Sequence, residues 1–267
     1  MKDMSRRSAG TAIPIAAFYG AALAVLAWRL AAWAPWVRRP DPDRLDWIVP
    51  SLLALVGVSF LVCGLVVLRR WPGRASRLFA GFCICYGLHW GGPLEPSAAS
   101  LRTALLLFYL LISGVLSATL LLHFVLAFPR PWRAGQSPVV LRVLYAPAVV
   151  AALFCVIAVV SPSGSGPRTF AQQGFLLVHT IVSNLYSFAA LLLYVVLLFG
   201  RSMNSSQKKY VALMVLGMLT AWLPYIIASG LNVENTDPWN LTVVALPLSF
   251  VLAFGGLFLR AGNPTPD

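Results

Sequence analysis

The stretch LLHFVLAFPRPWR, Leu121–Arg133, decides how the chain is read. An apolar run takes in one histidine, closes on Phe128-Pro129 and ends among Arg130, Trp132 and Arg133. Pro129 lacks the N–H that would continue a helix ladder, and it pushes the residue before it toward extended backbone. A tryptophan and two arginines directly after an apolar run are the composition of a membrane–water boundary. The stretch therefore predicts the sharp end of a transmembrane helix. His123 then lies about 8 Å inside that end, at about 1.5 Å per residue.

The rest of the chain agrees with a membrane reading. Of 267 residues, 59% are hydrophobic and only 10% are charged, and the mean hydropathy is +0.81. A soluble domain carries roughly 25% charged residues. Eight apolar segments near membrane length follow one another, at 12–37, 47–68, 78–92, 103–128, 139–160, 174–199, 210–229 and 239–259. The expected fold is all-α: one polytopic membrane helix bundle of about eight spans over residues 1–267, joined by short loops. The first apolar run is too long for a cleaved leader and lacks a small-residue cleavage site.

Charge sets the expected orientation. With the N-terminus in the cytoplasm, 14 of the 20 basic residues fall on inner segments, 5 on outer loops, and Arg29 inside the first span. Six of the eight acidic residues fall outside. This is the positive-inside pattern, and both termini are placed in the cytoplasm. It also argues that 78–92 crosses, since otherwise Arg69, Arg70, Arg74 and Arg77 would face the later basic clusters across the membrane. A net charge of +12, dispersed among short loops, points to anionic lipid headgroups as partners and not to nucleic acid.

Catalytic chemistry finds no foothold. All carboxylates lie in predicted loops or tails, and no lysine lies within a span. That argues against intramembrane acid–base work, proton-coupled transport of the acidic-residue kind and a retinal Schiff base. Metalloprotease, serine-hydrolase and phosphate-loop motifs are absent. Cys63, Cys83, Cys85 and Cys155 all fall within spans and read as small packing residues. Three histidines are fewer than paired-histidine membrane cytochromes carry, so neither metal nor cofactor is expected.

Polar residues inside a bilayer are costly and are functional candidates by default. Arg29, His89, Trp90, His179, Asn184, Tyr225 and Asn240 all map to the outer half or the outer boundary of their spans. Together they form a candidate ligand site for an amphiphile, with Arg29 suited to an anionic head. The bland alternative is that Arg29 snorkels, the aromatics belong to the interfacial belt and the histidines are satisfied within the bundle. His123 likewise has two readings, as an interface anchor or as a relay toward the inner side. Gly114 with Ala118, and Ser113 with Ser117, give the fourth span a small-residue face for packing.

Three segments carry a family resemblance. Leu122-His123-Phe124-x-Leu126-x-Phe128-Pro129 resembles the HFxLxFP signature in the membrane domain of bacterial sensor histidine kinases of the competence-pheromone receptor type. Gln207-Lys208-Lys209-Tyr210-Val211, followed by Gly217 and Leu223-Pro224, is similar to the segment that opens that family's penultimate helix. Leu246-Pro247-Leu248-Ser249-Phe250, then Ala253, Leu257 and Arg260, is similar to its last helix. The resemblance covers roughly residues 103–260. It implies a sensor module in the bacterial cytoplasmic membrane, with His123, Phe128, Pro129, Gln207 and Pro224 as signal-relay candidates. No phosphoacceptor helix or nucleotide-binding glycine box follows Arg260, so the expectation is a non-enzymatic module that couples to a separate kinase or other signalling protein. A lipid-like or peptide signal is the expected ligand. The alternatives are a small-solute transporter and a membrane scaffold without ligand.

Overall fold

A computed structural model describes residues 44–70, 73–89, 99–129, 132, 136–200, 203 and 205–231, with a few helical positions between 17 and 27. The helices are α1 (Arg44–Arg70), α2 (Arg74–His89), α3 (Ala99–Leu110), a π-helical turn (Leu111–Leu116), α4 (Ser117–Ala127), α5 (Pro138–Val160), α6 (Gly166–Phe199) and α7 (Ser205–Leu231). No strand occurs among the described residues. The all-helical expectation holds there, and Leu101–Ala127, Pro138–Val160 and Gly166–Phe199 are each long and apolar enough to cross a membrane. The expected spans 12–37 and 239–259 lie outside the described residues, apart from those few positions in the first.

Two features differ most from the sequence reading, beyond starts at Arg44, Arg74, Ala99 and Ser205 that precede the expected ones by three to five residues. The helix expected at 174–199 starts eight residues earlier, at Gly166. Ser165 takes the N-cap position with extended backbone, and Pro167 sits in the first turn, where its missing N–H has no ladder to break. At 34 residues α6 is about 51 Å long, well over the roughly 30 Å of a hydrocarbon core. The second difference is the span at 103–128, which is not one uniform α-helix. It widens at Leu111–Leu116, where the Ser117 N–H bonds the Ile112 carbonyl five residues back.

Small residues draw the helices together. A Cβ on Gly87 of α2 would stand 3.3 Å from the Gly57 carbonyl oxygen of α1. Ala148, Ala151, Cys155 and Ala158 repeat at helical spacing along α5, all buried, and pack with Ala171, Phe175 and Val182 of α6. The Phe154 ring lies over Gly174. The outward flanks are as apolar as the core: Val143, Leu153, Val156, Leu177 and Phe188 are all exposed. In water such a flank would be an aggregation surface, whereas lipid solvates it without penalty. All four cysteines are buried and unbridged.

The main core gathers where the N-termini of α2 and α7 meet the C-terminus of α4. Phe60, Phe79, Phe124, Phe128 and Tyr194 are its largest fully buried side chains. Arg69, Arg70, Arg74 and Arg77 belong to this end through α1 and α2, Arg142 through the first turns of α5, and Lys208 and Lys209 through those of α7. We call it the basic end.

Candidate functional site

Helix α4 ends as its sequence dictates. Phe128 is extended, at φ −138° and ψ 142°, and its N–H closes the last turn on the Phe124 carbonyl at 2.8 Å. The Trp132 N–H then returns to the Leu126 carbonyl at 3.0 Å, so the chain folds back over the helix end. His123 is therefore not splayed toward the headgroups: only 6% of it is exposed. Arg74 of α2 meets its Nε2 at 3.1 Å, and the Tyr145 hydroxyl of α5 meets its Nδ1 at 2.9 Å. A guanidinium only donates, so Nε2 is the acceptor and Nδ1–H donates to the tyrosine oxygen. A doubly protonated ring would have no lone pair for Arg74, so this geometry fits the neutral imidazole alone. One side chain thus ties three helices.

Aromatic contacts extend the knot. Phe124 and Phe128 stack at 5.3 Å, Phe79 of α2 lies 5.2 Å from Phe124, and Tyr210 of α7 meets Phe128 edge-on at 6.3 Å. His123, Phe124, Phe128 and Pro129 are all buried. Gln207 is half-buried, one turn before Tyr210 on α7. The relay candidates His123, Phe128, Pro129 and Gln207 thus gather at the basic end. Pro224 lies farther along α7, about 26 Å from Gln207 at 1.5 Å per residue, and its side chain is outside the described ones.

The expected ligand residues are placed less completely. Arg29, Trp90 and Asn240 lie outside the described residues, and Tyr225 is described in its backbone only. His89 and His179 lie close enough to interact electrostatically. The His89 ring stacks with Tyr86 at 5.6 Å and Tyr109 at 6.4 Å, and the Tyr109 hydroxyl donates to the His89 carbonyl at 2.7 Å. His179 stacks on Phe175 at 6.3 Å and faces the π turn. A Cβ on Gly114 would fall 2.2 Å from His179 Nε2 and 3.0 Å from Ser183 Oγ. Asn184 is on a different flank, exposed beside Ile181, Leu185 and Phe188. Of the three expected residues whose side chains are described, His89 and His179 thus lie near one another and Asn184 lies apart.

Comparison with known proteins bears on the family. The family model of the N-terminal 7TM region of histidine kinase matches residues 51–260. The chain belongs to this family. No curated protein and no solved structure matches it significantly. The match covers all three segments that carried the sequence resemblance, and it makes the chain a membrane sensor region of the histidine-kinase type. The matched portion of this 7TM region is membrane domain, and no kinase domain is shown.

Several residues of this 7TM region escaped the sequence reading. Arg74 counted only as a boundary charge, and nothing around Tyr145 marks it as the partner of a histidine 22 residues away. Ser113-Gly114 read as a packing face, although a serine–glycine pair within an apolar helix is also a signal for irregular backbone. Ser183 and Tyr194 gave no signal. Each hydroxyl is buried without a hydrogen-bond partner among the described residues.

Proposed function

We propose that this chain is a non-enzymatic receptor of the bacterial cytoplasmic membrane, with eight spans and both termini in the cytoplasm. It receives a lipid-like or peptide signal at its outer half and passes it to a separate kinase or other signalling protein at the basic end. The family region begins at residue 51, within the second expected span, so seven spans fall in it and 12–37 is an additional one. The ligand residues of this reading are Arg29, His89, Trp90, His179, Asn184, Tyr225 and Asn240. The basic loops rest on anionic lipid headgroups.

One observation carries the proposal. The Arg74–His123–Tyr145 knot, with Phe128 on Tyr210, joins two family-like motif segments and four helices at one end of the bundle. A helix shift started at the far end of any of them arrives at a common point. A scaffold needs no such junction, and an alternating-access carrier concentrates its polar residues near the bilayer midplane.

Native mass spectrometry of the gently solubilised protein, wild type and Arg29→Ala, tests the reading. A co-purifying amphiphile that disappears in the variant supports the receptor. Bulk lipid alone, unchanged by the substitution, overturns the lipid-like ligand, and a co-purifying protein in those spectra would favour a scaffold.

A further inference from the structure

The π turn divides one transmembrane helix into two halves with different attachments. Above it, α3 carries Tyr109, bonded to the end of α2 at His89. Below it, six residues after Ser117, α4 carries His123 and the knot. A π turn holds residues in excess of the α-helical repeat, so the two halves are out of register with a straight helix. Each residue gained or lost in such a turn rotates one half against the other by about 100° and moves it about 1.5 Å along the axis.

The wide turn is supported from within. The Ser117 hydroxyl bonds the carbonyls of Ser113 and Gly114, and the Thr119 hydroxyl bonds that of Val115 at 2.8 Å. Carbonyls splayed by the turn therefore keep partners without water, as a bilayer requires. From outside, the turn packs against α2, α5 and α6, and on the α6 side His179 and Ser183 lie against the bare Cα of Gly114. That contact is imperfect. Ser113 Oγ and Ser183 Oγ are both sealed from solvent with no partner among the described residues, an arrangement native structures seldom keep unless it has a use. A turn whose carbonyls are satisfied internally, but which carries one unbonded hydroxyl and meets another, has reason to leave its present register.

We propose that Leu111–Leu116 is a two-state register hinge held in its π form by His179. When His179 leaves Gly114, the turn tightens toward α-helix. The register change then rotates α4 and moves His123 relative to Arg74 and Tyr145. This deepens the sensor reading by naming the element that converts an event beside His179 into motion at the basic end, and it requires no particular ligand.

Double electron–electron resonance on the full chain in lipid nanodiscs tests the hinge. Spin labels are placed at Arg77 of α2 and Ala127 of α4, with the four native cysteines replaced by alanine. His179→Ala removes the prop without adding volume, and Gly114→Ala forces the prop off. Both are expected to add a distance population displaced by about 4 Å, the scale set by a helix radius, a 100° turn and one residue's rise. Ser183→Ala, which keeps the imidazole, is expected to leave the parent distribution in place. If His179→Ala folds with one unchanged population, the hinge is overturned, whatever happens to Gly114→Ala. A moving hinge in a protein that binds no amphiphile would sink the ligand reading and leave the hinge standing.

Discussion

Replacing His123 with alanine severs the knot, and the structure sets the size of the effect. Two hydrogen bonds are lost, to Arg74 at 3.1 Å and Tyr145 at 2.9 Å. An average intramolecular hydrogen bond is worth about 1 kcal/mol net. The Arg74 bond earns no charge bonus, because that residue is exposed and water screens it. Truncating a ring that is 6% exposed leaves a void worth about 1–2 kcal/mol more. The expected loss is about 3 kcal/mol, where an interface anchor would lose almost nothing. Unfolding in mixed dodecylmaltoside–SDS micelles, followed by circular dichroism, measures it. Tyr145→Phe closes a double-mutant cycle with an expected coupling near 1 kcal/mol. A loss below about 0.5 kcal/mol with no coupling would show that His123 holds nothing together, and the relay built on it would fall.

The remaining predictions use the same assay. Gly114→Ala places a methyl 2.2 Å from His179 Nε2, an overpacking expected to cost about 1–3 kcal/mol; His179→Ala in the same chain should restore most of it, and no rescue would mean that the clash lies elsewhere. Phe128→Ala removes a fully buried ring between Phe124 and Tyr210 and should cost about 3–5 kcal/mol; a value near zero would contradict the packing at the basic end. Tyr194→Phe deletes a buried hydroxyl without a partner among the described residues and should be neutral or stabilising by about 1 kcal/mol, so a clear loss would reveal a bond to that oxygen.

The class of protein and much of its layout were legible in the sequence, for a physical reason. A bilayer admits long apolar helices and penalises nearly everything else, so span positions follow from local composition. The stop after Ala127 was equally local. Proline fixes its own φ and constrains its neighbour, and Phe128 is extended as expected. The early start of α6 was missed because Ser165-Gly166-Pro167 reads as loop while also serving as cap and first turn.

Side-chain partnerships were not legible, because they depend on residues distant in the chain. Nothing near position 123 says that its imidazole meets an arginine 49 residues earlier and a tyrosine 22 later. Polarity and depth singled out His89 and His179, but depth alone also enrolled Asn184, whose angular position on α6 turns it toward the apolar flank. The widened turn at Leu111–Leu116 is a tertiary decision too. Its serines and glycine permit either register, and the choice falls to the helices packed around it, α2, α5 and α6, with His179 against Gly114. By itself, then, the sequence determined that this chain is a bundle of membrane helices and where the described ones stop, because burial in lipid acts on each segment alone. Only the tertiary structure decided which polar groups meet, because that requires helices far apart in the chain to pack in one particular rotation.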